Sequence, residues 1–406
     1  MRQEKPCLIA FFPPRGAGSR KAGPGAEREI QGGITVLIAV PRERVPGELR
    51  VAVVPHGAAA LTRLGHRVLV EEGAGAGSGW SDAEYAAAGA EVVSDLAALY
   101  QAAEVIVKVK EPVEEELELL RAGQVLLAFL MFSKNRPLLK ALLQKQAVGL
   151  GWEKVQGAGG VRPVLAAMSE ISGQAAVLVA ADLLRTDRGG PGLLLGGVSG
   201  LLSPRVVILG PGRVGRAAAR AAAGLGAQVV LVGHSLEQAR ALQGELPPGV
   251  ATVVAQGDAL ARCLAGCQVL INTVTLGPGE RGEHLVARAD LKLLAPGAVI
   301  IDVAVDKGGA VETSRPTTWD DPIYVEEGVR HLAVPNLPAR FPRTATTALA
   351  TVVLPYLKAI AAAGWRAALR ADAGLRAGLA CVDGRLTDER AARLYGLTFH
   401  PAEDEV

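Results

Sequence analysis

Short apolar runs alternate with polar or Ala/Leu-rich segments along the chain from residue 34 onward. The apolar runs of the first half read ITVLIAV, HRVLVEE, EVIVKVK, VLLAFL and AVGLGW. Segments near residues 56–64 and 82–89 lie between early runs of this series and have the pattern of short helices. Strands that alternate with helices in this way predict a parallel sheet covered by helices.

A second series of the same kind follows a long predicted helix, from about residue 170 to 184, and a glycine-rich loop. It begins at Arg205 and contains the runs VVILG, AQVVLVG, TVVAQ, QVLINTV and AVIIDVAV. Each run contains a continuous apolar segment, as expected for a parallel strand that is covered on both faces. After residue 336 the chain returns through predicted helices at 344–363 and 385–394.

These patterns predict an α/β protein with two doubly wound parallel-sheet domains. The second domain, residues 166–337, is inserted into a discontinuous first domain formed by residues 34–165 and 338–406. Residues 1–33 carry one short apolar patch interrupted by two prolines, which is too short for a secretion signal, and we predict a disordered extension. No stretch reaches about 18 apolar residues without Gly, Pro or a charge, so no transmembrane helix is predicted.

Composition and charge favour a small ligand. The 406 residues include 43 basic and 41 acidic residues spread along the length, with a formal net charge of +2. This balance offers no electrostatic attraction for nucleic acid or an anionic membrane. Four scattered cysteines (Cys7, Cys263, Cys267 and Cys381) do not form a disulfide framework, and Cys263 and Cys267 lack a second pair of metal ligands. We expect a cytoplasmic protein without a metal site.

Three glycines, Gly210, Gly212 and Gly215, interrupt the second series in the sequence VVILGPGRVG. They follow a β-branched strand, open the Ala-rich segment VGRAAARAAAGLG and precede another predicted strand. This context provides a tight turn, close approach of the backbone to a pyrophosphate, and helix amides that point at negative charge. We therefore predict that the inserted domain is a Rossmann dinucleotide-binding domain and that the other domain binds the substrate.

The residue expected to bind the ribose hydroxyls is absent from this sequence. An Asp or Glu usually ends the second strand of the motif, but the sequence there reads LVGHS, with Gly233 in the acidic position. No carboxylate repels a 2′-phosphate here, and His234, Ser235 and Arg240 can receive one. NADP is therefore open as a cofactor and slightly favoured over NAD. In the alternative interpretation NAD binds, with its ribose held by Ser235 or by the backbone.

Several long motifs together resemble the alanine dehydrogenase family, within the alanine dehydrogenase and transhydrogenase α-subunit superfamily. The resemblance runs from about residue 34 to the C-terminus. The motifs are VPRERVPGELRVAVVP at 40–55, VKVKEP at 107–112, MSEISG at 168–173, the GPGRVG loop, IDVAVDKGGAVETSRPTTWDDPIY at 301–324 and VPNLPARFPRTATTAL at 334–349. The ETSRPTT run and the C-terminal tail resemble the dehydrogenase more than the transhydrogenase.

The resemblance implies a set of site residues. Arg50 and Lys110 match the residues that grip the substrate carboxylate, the first as a bidentate fork and the second as a compact charge near the carbonyl. Asp306 matches the catalytic aspartate, whereas we interpret Asp302 as structural. The positions that match contacts to the cofactor are Ser169, Val274, Thr275, Arg315, Asn336 and Leu337.

One position departs from the family pattern. The strand after the lysine segment ends, in the family, in a histidine that acts as acid and base, but this sequence reads LLAFLMFSKN and places Met131 there. A thioether cannot carry a proton at neutral pH. None of the six histidines lies next to Met131 in sequence, and His331 is the one that folding can bring near it.

The resemblance implies reversible oxidative deamination of L-alanine to pyruvate and ammonia with NAD or NADP, in a homohexamer. Because Met131 and Gly233 depart from the family pattern, an oxidoreductase acting on another amino or imino acid is a second interpretation. A non-catalytic dinucleotide-binding protein, or a transhydrogenase-like subunit that needs a membrane partner, is a third.

Overall fold

A computed structural model describes residues 35–242, 244–276 and 284–406. The predicted N-terminal extension, residues 1–33, lies outside the described residues. The described strands are β1 (Leu37–Val40), β2 (Arg67–Glu71), β3 (Glu91–Val93), β4 (Val105–Lys110), β5 (Val125–Phe129), β6 (Val148–Gly151), β7 (Arg205–Leu209), β8 (Gln228–Gly233), β9 (Ala251–Val254), β10 (Val269–Asn272), β11 (Val299–Asp302), β12 (Ile323–Glu326), β13 (Val329–Leu332), β14 (Leu379–Val382) and β15 (Arg385–Leu386).

Helices connect most of these strands and cover both sheets. They are α1 (Pro55–Thr62), α2 (Asp82–Ala87), α3 (Leu96–Ala102), α4 (Glu114–Leu119), α5 (Arg136–Gln144), α6 (Pro163–Leu183), α7 (Arg213–Gly224), α8 (Leu236–Leu242), α9 (Ala259–Leu264), α10 (Pro342–Ala363), α11 (Trp365–Ala371), α12 (Ala373–Arg376) and α13 (Glu389–Tyr395). The long helix α6 begins seven residues before the predicted start, with Pro163 in its first turn, where the missing N–H costs no hydrogen bond.

The strands form two sheets with related topology. The first sheet has the order β15-β14-β6-β5-β4-β1-β2-β3, and the second has the order β12-β13-β11-β10-β7-β8-β9. Six neighbouring strands in each sheet are parallel and follow the doubly wound order 3-2-1-4-5-6. The predicted fold class is confirmed. The first sheet takes strands from both ends of the described chain, while the residue bounds of the two domains remain predictions.

Antiparallel strands extend one edge of each sheet, which the alternating pattern did not predict. In the first sheet, β14 and β15 form a hairpin where a helix was predicted to begin at residue 385. The two residues that connect them, Asp383 and Gly384, have φ values of 48° and 77°. Asp-Gly is a favoured pair for such a two-residue turn, because both positions need positive φ. The helix that follows, α13, begins only at Glu389.

Two helices, α6 and α10, are long and apolar enough to span a membrane by length and composition alone. In this fold α6 packs against α7, α10 and β11, and both helices contribute buried side chains to the cores of the sheets. Burial in these cores therefore accounts for part of their apolar character, since 44% of the apolar window of each helix is buried.

Close contact between α6 and α7 depends on a glycine in the middle of α6. An ideal Cβ on Gly173 would lie 2.7 Å from the Cβ of Ala217 and would overlap the carbonyl oxygen of Val214. Both neighbours belong to the helix that follows the glycine loop. Backbone atoms cannot move aside as a flexible side chain can. The absence of a side chain at Gly173 therefore determines how closely the two helices approach each other.

We expect Gly173→Ala to lower the free energy of unfolding by about 1–3 kcal/mol through overpacking. Gly224→Ala, in α7, is the matched control, because an ideal Cβ there meets nothing within 4 Å. The control should raise stability by about 0.5–1 kcal/mol, since alanine loses less backbone entropy than glycine in a helix. The midpoints of urea unfolding measure both changes. Equal midpoints for the two variants would show that the helices can separate without cost.

Candidate active site

The carboxyl ends of the strands in both sheets open onto one cleft of about 400 Å³. Each sheet reverses its winding direction at this edge, between β1 and β4 in the first sheet and between β7 and β10 in the second. Such switch points are where doubly wound proteins bind ligands. The predicted site residues that line the cleft are Arg50, Lys110, Met131, Ser169, Thr275, Asp306, Asn336 and Leu337.

Arg50 lies in the loop after β1 and is held by a buried carboxylate. Its Nε and Nη2 donate to the two oxygens of Glu48, each at 2.6 Å, and Nη2 also donates to Asn336 Oδ1 at 3.1 Å. The remaining nitrogen, Nη1, contacts the sulfur of Met168 at 3.2 Å. Although burial alone would raise the pKa of Glu48, the hydrogen bonds and charge of Arg50 hold it below its usual value. The bidentate fork expected to hold a substrate is thus engaged by Glu48, and Nη1 is the nitrogen left to bind a ligand.

Lys110 ends β4, and its ammonium lies 3.7 Å from Oε2 of the neighbouring Glu111. Glu43, from the loop after β1, fixes this strand end by accepting the N–H groups of Val109 at 2.6 Å and Lys110 at 3.1 Å. Burial raises the pKa of Glu43 to about 7, although nearby Lys108 and the two N–H groups act in the opposite direction. The backbone of Lys110 is therefore held in place, while its side chain stays a quarter exposed.

Met131 lies two residues beyond β5 and has a left-handed backbone, with φ of 46°. The carboxylate of Glu153, which follows β6, accepts the N–H groups of Leu130 at 3.2 Å and Met131 at 2.9 Å. Burial raises the pKa of Glu153 despite these hydrogen bonds. Because Met131 lines the cleft, the position where the family has a histidine presents a thioether to a ligand.

Asp306 lies in a short 3-10 turn after β11 and reaches the cleft from the second sheet. The ammonium of Lys134, from the segment between β5 and α5, donates to Asp306 Oδ2 and to its main-chain oxygen, each at 2.7 Å. The two side chains are 39% and 33% exposed. Asp306 therefore shares the cleft with a lysine that sequence reasoning did not select.

The glycine loop has the close contacts that a phosphate-binding turn needs. Gly210 has φ of 93°, and an ideal Cβ there would lie 2.7 Å from Thr273 Oγ1. A Cβ on Gly215 would overlap the carbonyl oxygen of Gly210, so α7 can start directly against the turn only with glycine there. Gly212 precedes the first residue of α7, with open space beside it. These residues fit a dinucleotide pyrophosphate at the N-terminus of α7.

Besides the three glycines of the loop, three predicted cofactor residues lie outside the set that lines the cleft. Gly233 ends β8, and an ideal Cβ on it would lie 2.7 Å from Gln238 Oε1. Val274 follows β10 beside Gly210, with its Cγ2 2.9 Å from an ideal Cβ there. The guanidinium of Arg315 lies 4.0 Å above the ring of Tyr324, away from the cleft.

His331 does not come near Met131. It lies in β13, fully buried, where Nε2 contacts Thr313 Oγ1 at 2.8 Å and the ring stacks on Tyr324. Burial lowers the pKa of His331. The described residues that line the cleft include no histidine.

Asp302 ties together the ends of two neighbouring strands. Its Oδ1 accepts a hydrogen bond from Asn272 Nδ2 at 2.9 Å, and burial raises its pKa. Within the described ranges, no group of three or more His, Cys, Asp or Glu side chains is placed to hold a metal ion.

Sequence reasoning missed four charged residues that shape the site: Glu43, Glu48, Glu153 and Lys134. Glu48 lies two residues before Arg50 in a loop without periodicity, so no pattern signalled that the two would pair. Glu153 and Lys134 act on residues of other segments, which only the folded chain brings within reach. A glutamate among buried apolar runs, as in LGWEKV, was the one available signal, because a buried carboxylate needs partners.

The fold and the cleft define an α/β protein of the Rossmann type, in which a glycine loop adjoins a cleft of cationic and carboxylate side chains. The family domains described as "Alanine dehydrogenase/PNT, N-terminal domain" and "Alanine dehydrogenase/PNT, C-terminal domain" match residues 39–172 and 176–389. The chain therefore belongs to the alanine dehydrogenase/PNT family, and the resemblance seen in the sequence is confirmed.

Similar proteins cover almost the whole chain. The alanine dehydrogenase of Halomonas elongata is 41% identical over 89% of this chain and 97% of its own length. A solved L-alanine dehydrogenase structure is 36% identical, with a TM-score of 0.84 over 89% of this chain and 99% of that one. The transhydrogenase structure from Sinorhizobium meliloti is 25% identical, with a TM-score of 0.74 over 87% of this chain and 99% of that one.

We expect Glu48→Gln to lower the free energy of unfolding at pH 7 by about 3 kcal/mol, because it leaves the buried guanidinium of Arg50 without a counter-charge. The pKa of Glu48 in the folded state lies below its ordinary value of 4.5. Its stabilising effect is therefore complete above that pH and is lost as the pH falls through the folded-state value. The difference between wild type and variant, from urea denaturation at pH 7 to 3.5, should shrink below pH 4.5.

Glu91→Gln is the matched control for Glu48→Gln. Glu91 also accepts Nε and Nη2 of an arginine, Arg67, each at 2.9 Å, but both side chains are more than half exposed. Water already screens this pair, so its loss should change stability little. Equal losses in the two variants would contradict the assigned role of burial.

Proposed function

We propose that this protein catalyses the reversible oxidative deamination of L-alanine to pyruvate and ammonia with NAD or NADP. The observation that carries the proposal is that Arg50, Lys110 and Asp306 meet in a cleft beside the glycine loop. Two cations suit the carboxylate of an amino or keto acid, and a nearby aspartate can move protons to and from the nitrogen and oxygen bound to the α-carbon. The similarity to alanine dehydrogenases over nearly the full length supports the same reaction here.

In the direction of deamination, Arg50 Nη1 and the Lys110 ammonium bind the substrate carboxylate and orient the α-carbon. The carboxylate of Asp306 accepts the proton released when water adds to the protonated imine and returns it to the nitrogen. As ammonia leaves, the same carboxylate takes up the hydroxyl proton and the keto group forms. Lys110 stabilises the oxygen that becomes the keto group. The apolar side chains of Met131 and Leu337 border the same cleft and limit the access of bulk water.

The residues of the second sheet fit a nicotinamide dinucleotide. When bound, the cofactor would supply the acceptor for the hydride that leaves the α-carbon of the substrate. Gly210, Gly212, Gly215 and the first turn of α7 would hold the pyrophosphate. We propose that Val274 and Arg315 contact the cofactor outside the cleft, and that further contacts come from Ser169, Thr275, Asn336 and Leu337.

Met131 favours a second candidate function. Without a histidine at this place, both proton transfers depend on Asp306 or a bound water, and the loss of a general acid or base typically costs about 10²- to 10⁴-fold in rate. The thioether of Met131 has two possible consequences for the reaction. Either deamination of alanine is slower, or the apolar pocket suits another amino or imino acid. The alternative is thus an oxidoreductase of the same type with a different substrate.

We further propose that the enzyme accepts NADP as well as NAD. No carboxylate stands at the end of β8 to repel a 2′-phosphate, because Gly233 lacks a side chain and the Gln238 amide fills the space. The N–H of His234 donates to that same amide oxygen at 3.3 Å. A neutral amide tolerates both the 2′-phosphate of NADP and the 2′-hydroxyl of NAD, whereas a carboxylate would select NAD.

We propose a cytoplasmic homohexamer with small-molecule substrates and without a nucleic-acid or membrane partner. The support is family resemblance together with the balanced charge. The transhydrogenase-like interpretation receives less support, because the alanine dehydrogenase structure is more similar in both sequence and fold than the transhydrogenase structure.

The test of the proposed function is the absorbance at 340 nm when keto acids and ammonia are supplied with NADH or NADPH. We expect pyruvate with ammonia to oxidise the cofactor, and alanine to reduce it in the reverse direction. Faster turnover with a different keto acid would favour the second candidate function. Cofactor binding without turnover on any keto acid would support the non-catalytic interpretation.

We expect Met131→His to raise kcat for alanine deamination by at least about tenfold and to add a pH dependence with an apparent pKa of about 6–7. Histidine also suits the left-handed backbone at this position better than methionine does. Met131→Leu is the control, because it keeps the apolar volume and adds no titratable group. An equal rise in both variants would mean that pocket shape, and not proton transfer, limits the rate.

We expect Gly233→Asp combined with Gln238→Ala to raise the ratio of kcat/KM for NAD over NADP by about tenfold or more, through repulsion of the 2′-phosphate. The second substitution is needed because Gln238 Oε1 occupies the place of the new side chain. Gln238→Ala alone is the control. If the ratio did not change in the double variant, the ribose would be bound elsewhere.

A further inference from the structure

One ion pair joins the two sides of the cleft. Lys134 belongs to the segment that follows β5 of the first sheet, and Asp306 to the turn that follows β11 of the second. Both line the cleft, and their charged groups are 2.7 Å apart. The link therefore joins elements of the two sheets at the wall of the cleft.

The lysine contacts two atoms of the same residue. Its Nζ donates to Asp306 Oδ2 and to the main-chain oxygen of Asp306. A hydrogen bond to the carboxylate alone would leave the Asp306 side chain free to rotate about its χ angles. The second bond fixes the ammonium relative to the backbone of the turn, so the two together fix the direction of the carboxylate. Among the described residues, Oδ1 receives no hydrogen bond and remains available.

The other two cations of the cleft are engaged elsewhere. Arg50 is paired with Glu48, and the nearest carboxylate to the Lys110 ammonium is that of Glu111. Of the side chains that the structure describes, Lys134 is the charged partner of Asp306. Neither Arg50 nor Lys110 is paired with Asp306, so both can bind a substrate carboxylate while Lys134 orients the aspartate.

The segment that carries Lys134 is itself held in place. The N–H of Lys134 donates to the carbonyl of Met131 at 2.8 Å, in a turn that Glu153 holds through the Met131 N–H. Asn135 then caps α5 by accepting the N–H of Leu138 at 3.0 Å. Because both ends of this turn are fixed, the backbone of Lys134 has a defined position.

We propose that Lys134 is a positioning residue that holds the Asp306 carboxylate toward the substrate and joins the two sides of the cleft. This inference rests on the proposed function, because Asp306 is the group whose proton transfers it would assist. The pair is more than a third exposed on the lysine side, so its removal should change stability little and the variants should fold.

The test is Lys134→Met, which removes the charge and keeps the length of the side chain. We expect kcat for alanine deamination to fall about 10- to 100-fold while KM for alanine changes less than about threefold, because Arg50 and Lys110 still bind the carboxylate. Lys134→Arg can donate to both atoms of Asp306 and should restore at least about tenfold of the lost kcat.

Lys145→Met is the matched control. The ammonium of Lys145, beyond the end of α5, donates to the main-chain oxygen of Glu118 at 2.6 Å and lies 3.6 Å from its carboxylate. This is the same kind of two-atom contact, but outside the cleft. We expect kcat to be unchanged in this variant. An equal loss of kcat in both variants would overturn the proposal.

Hydrogen–deuterium exchange separates this proposal from the proposed function, because it needs no turnover. Amides at residues 304–306 should exchange faster in Lys134→Met than in wild type and Lys145→Met. Faster exchange together with a wild type that does not deaminate alanine would overturn the proposed function and leave the positioning role standing. Unchanged exchange, or full kcat in Lys134→Met, would overturn the positioning role.

Discussion

A buried ion pair at the cleft is the interaction on which the arrangement of the site depends. Glu48 and Arg50 are almost fully enclosed, and each is tolerated there only because the other neutralises its charge. Asn336, 286 residues after Arg50, binds both of them, through Arg50 Nη2 and Glu48 Oε2. It precedes α10, with which the chain returns to the first sheet. The pair therefore orients the guanidinium and anchors the connection between the two halves of the cleft.

Three glutamates stabilise the side of the cleft that the first sheet forms. Glu48 holds the side chain of Arg50, Glu43 holds the backbone of Lys110, and Glu153 holds the backbone of Met131. Burial disfavours the charge on Glu43 and Glu153, and their pKa values are raised, whereas the charge of Arg50 lowers that of Glu48. Rigid placement of the residues that line the cleft is thus supported by carboxylates that do not line it. Such support is what a site needs to hold a reacting group in one geometry.

Most of the fold could be predicted from local patterns, because apolar residues are spaced differently in buried strands and in helices. The doubly wound order and the glycine loop were predictable for this reason. The β14–β15 hairpin was not recognised, although Asp383 and Gly384 form a strong turn signal, because strands of four and two residues leave no detectable period. His331 was considered near the cleft and lies in the core instead, since its strand pairs with β11 and β12.

The sequence by itself determined the α/β class, the dinucleotide loop and the family, because each of these depends on residues that are close together in the chain. It also identified Arg50, Lys110, Met131 and Asp306 as candidates, by the motifs around them. Only the tertiary structure decided which atoms of these residues remain available. The Arg50 fork is engaged by Glu48, and Asp306 is paired with a lysine 172 positions away. Charged side chains pair with the groups that lie nearest in space. When the partners belong to different segments, the sequence does not indicate that distance.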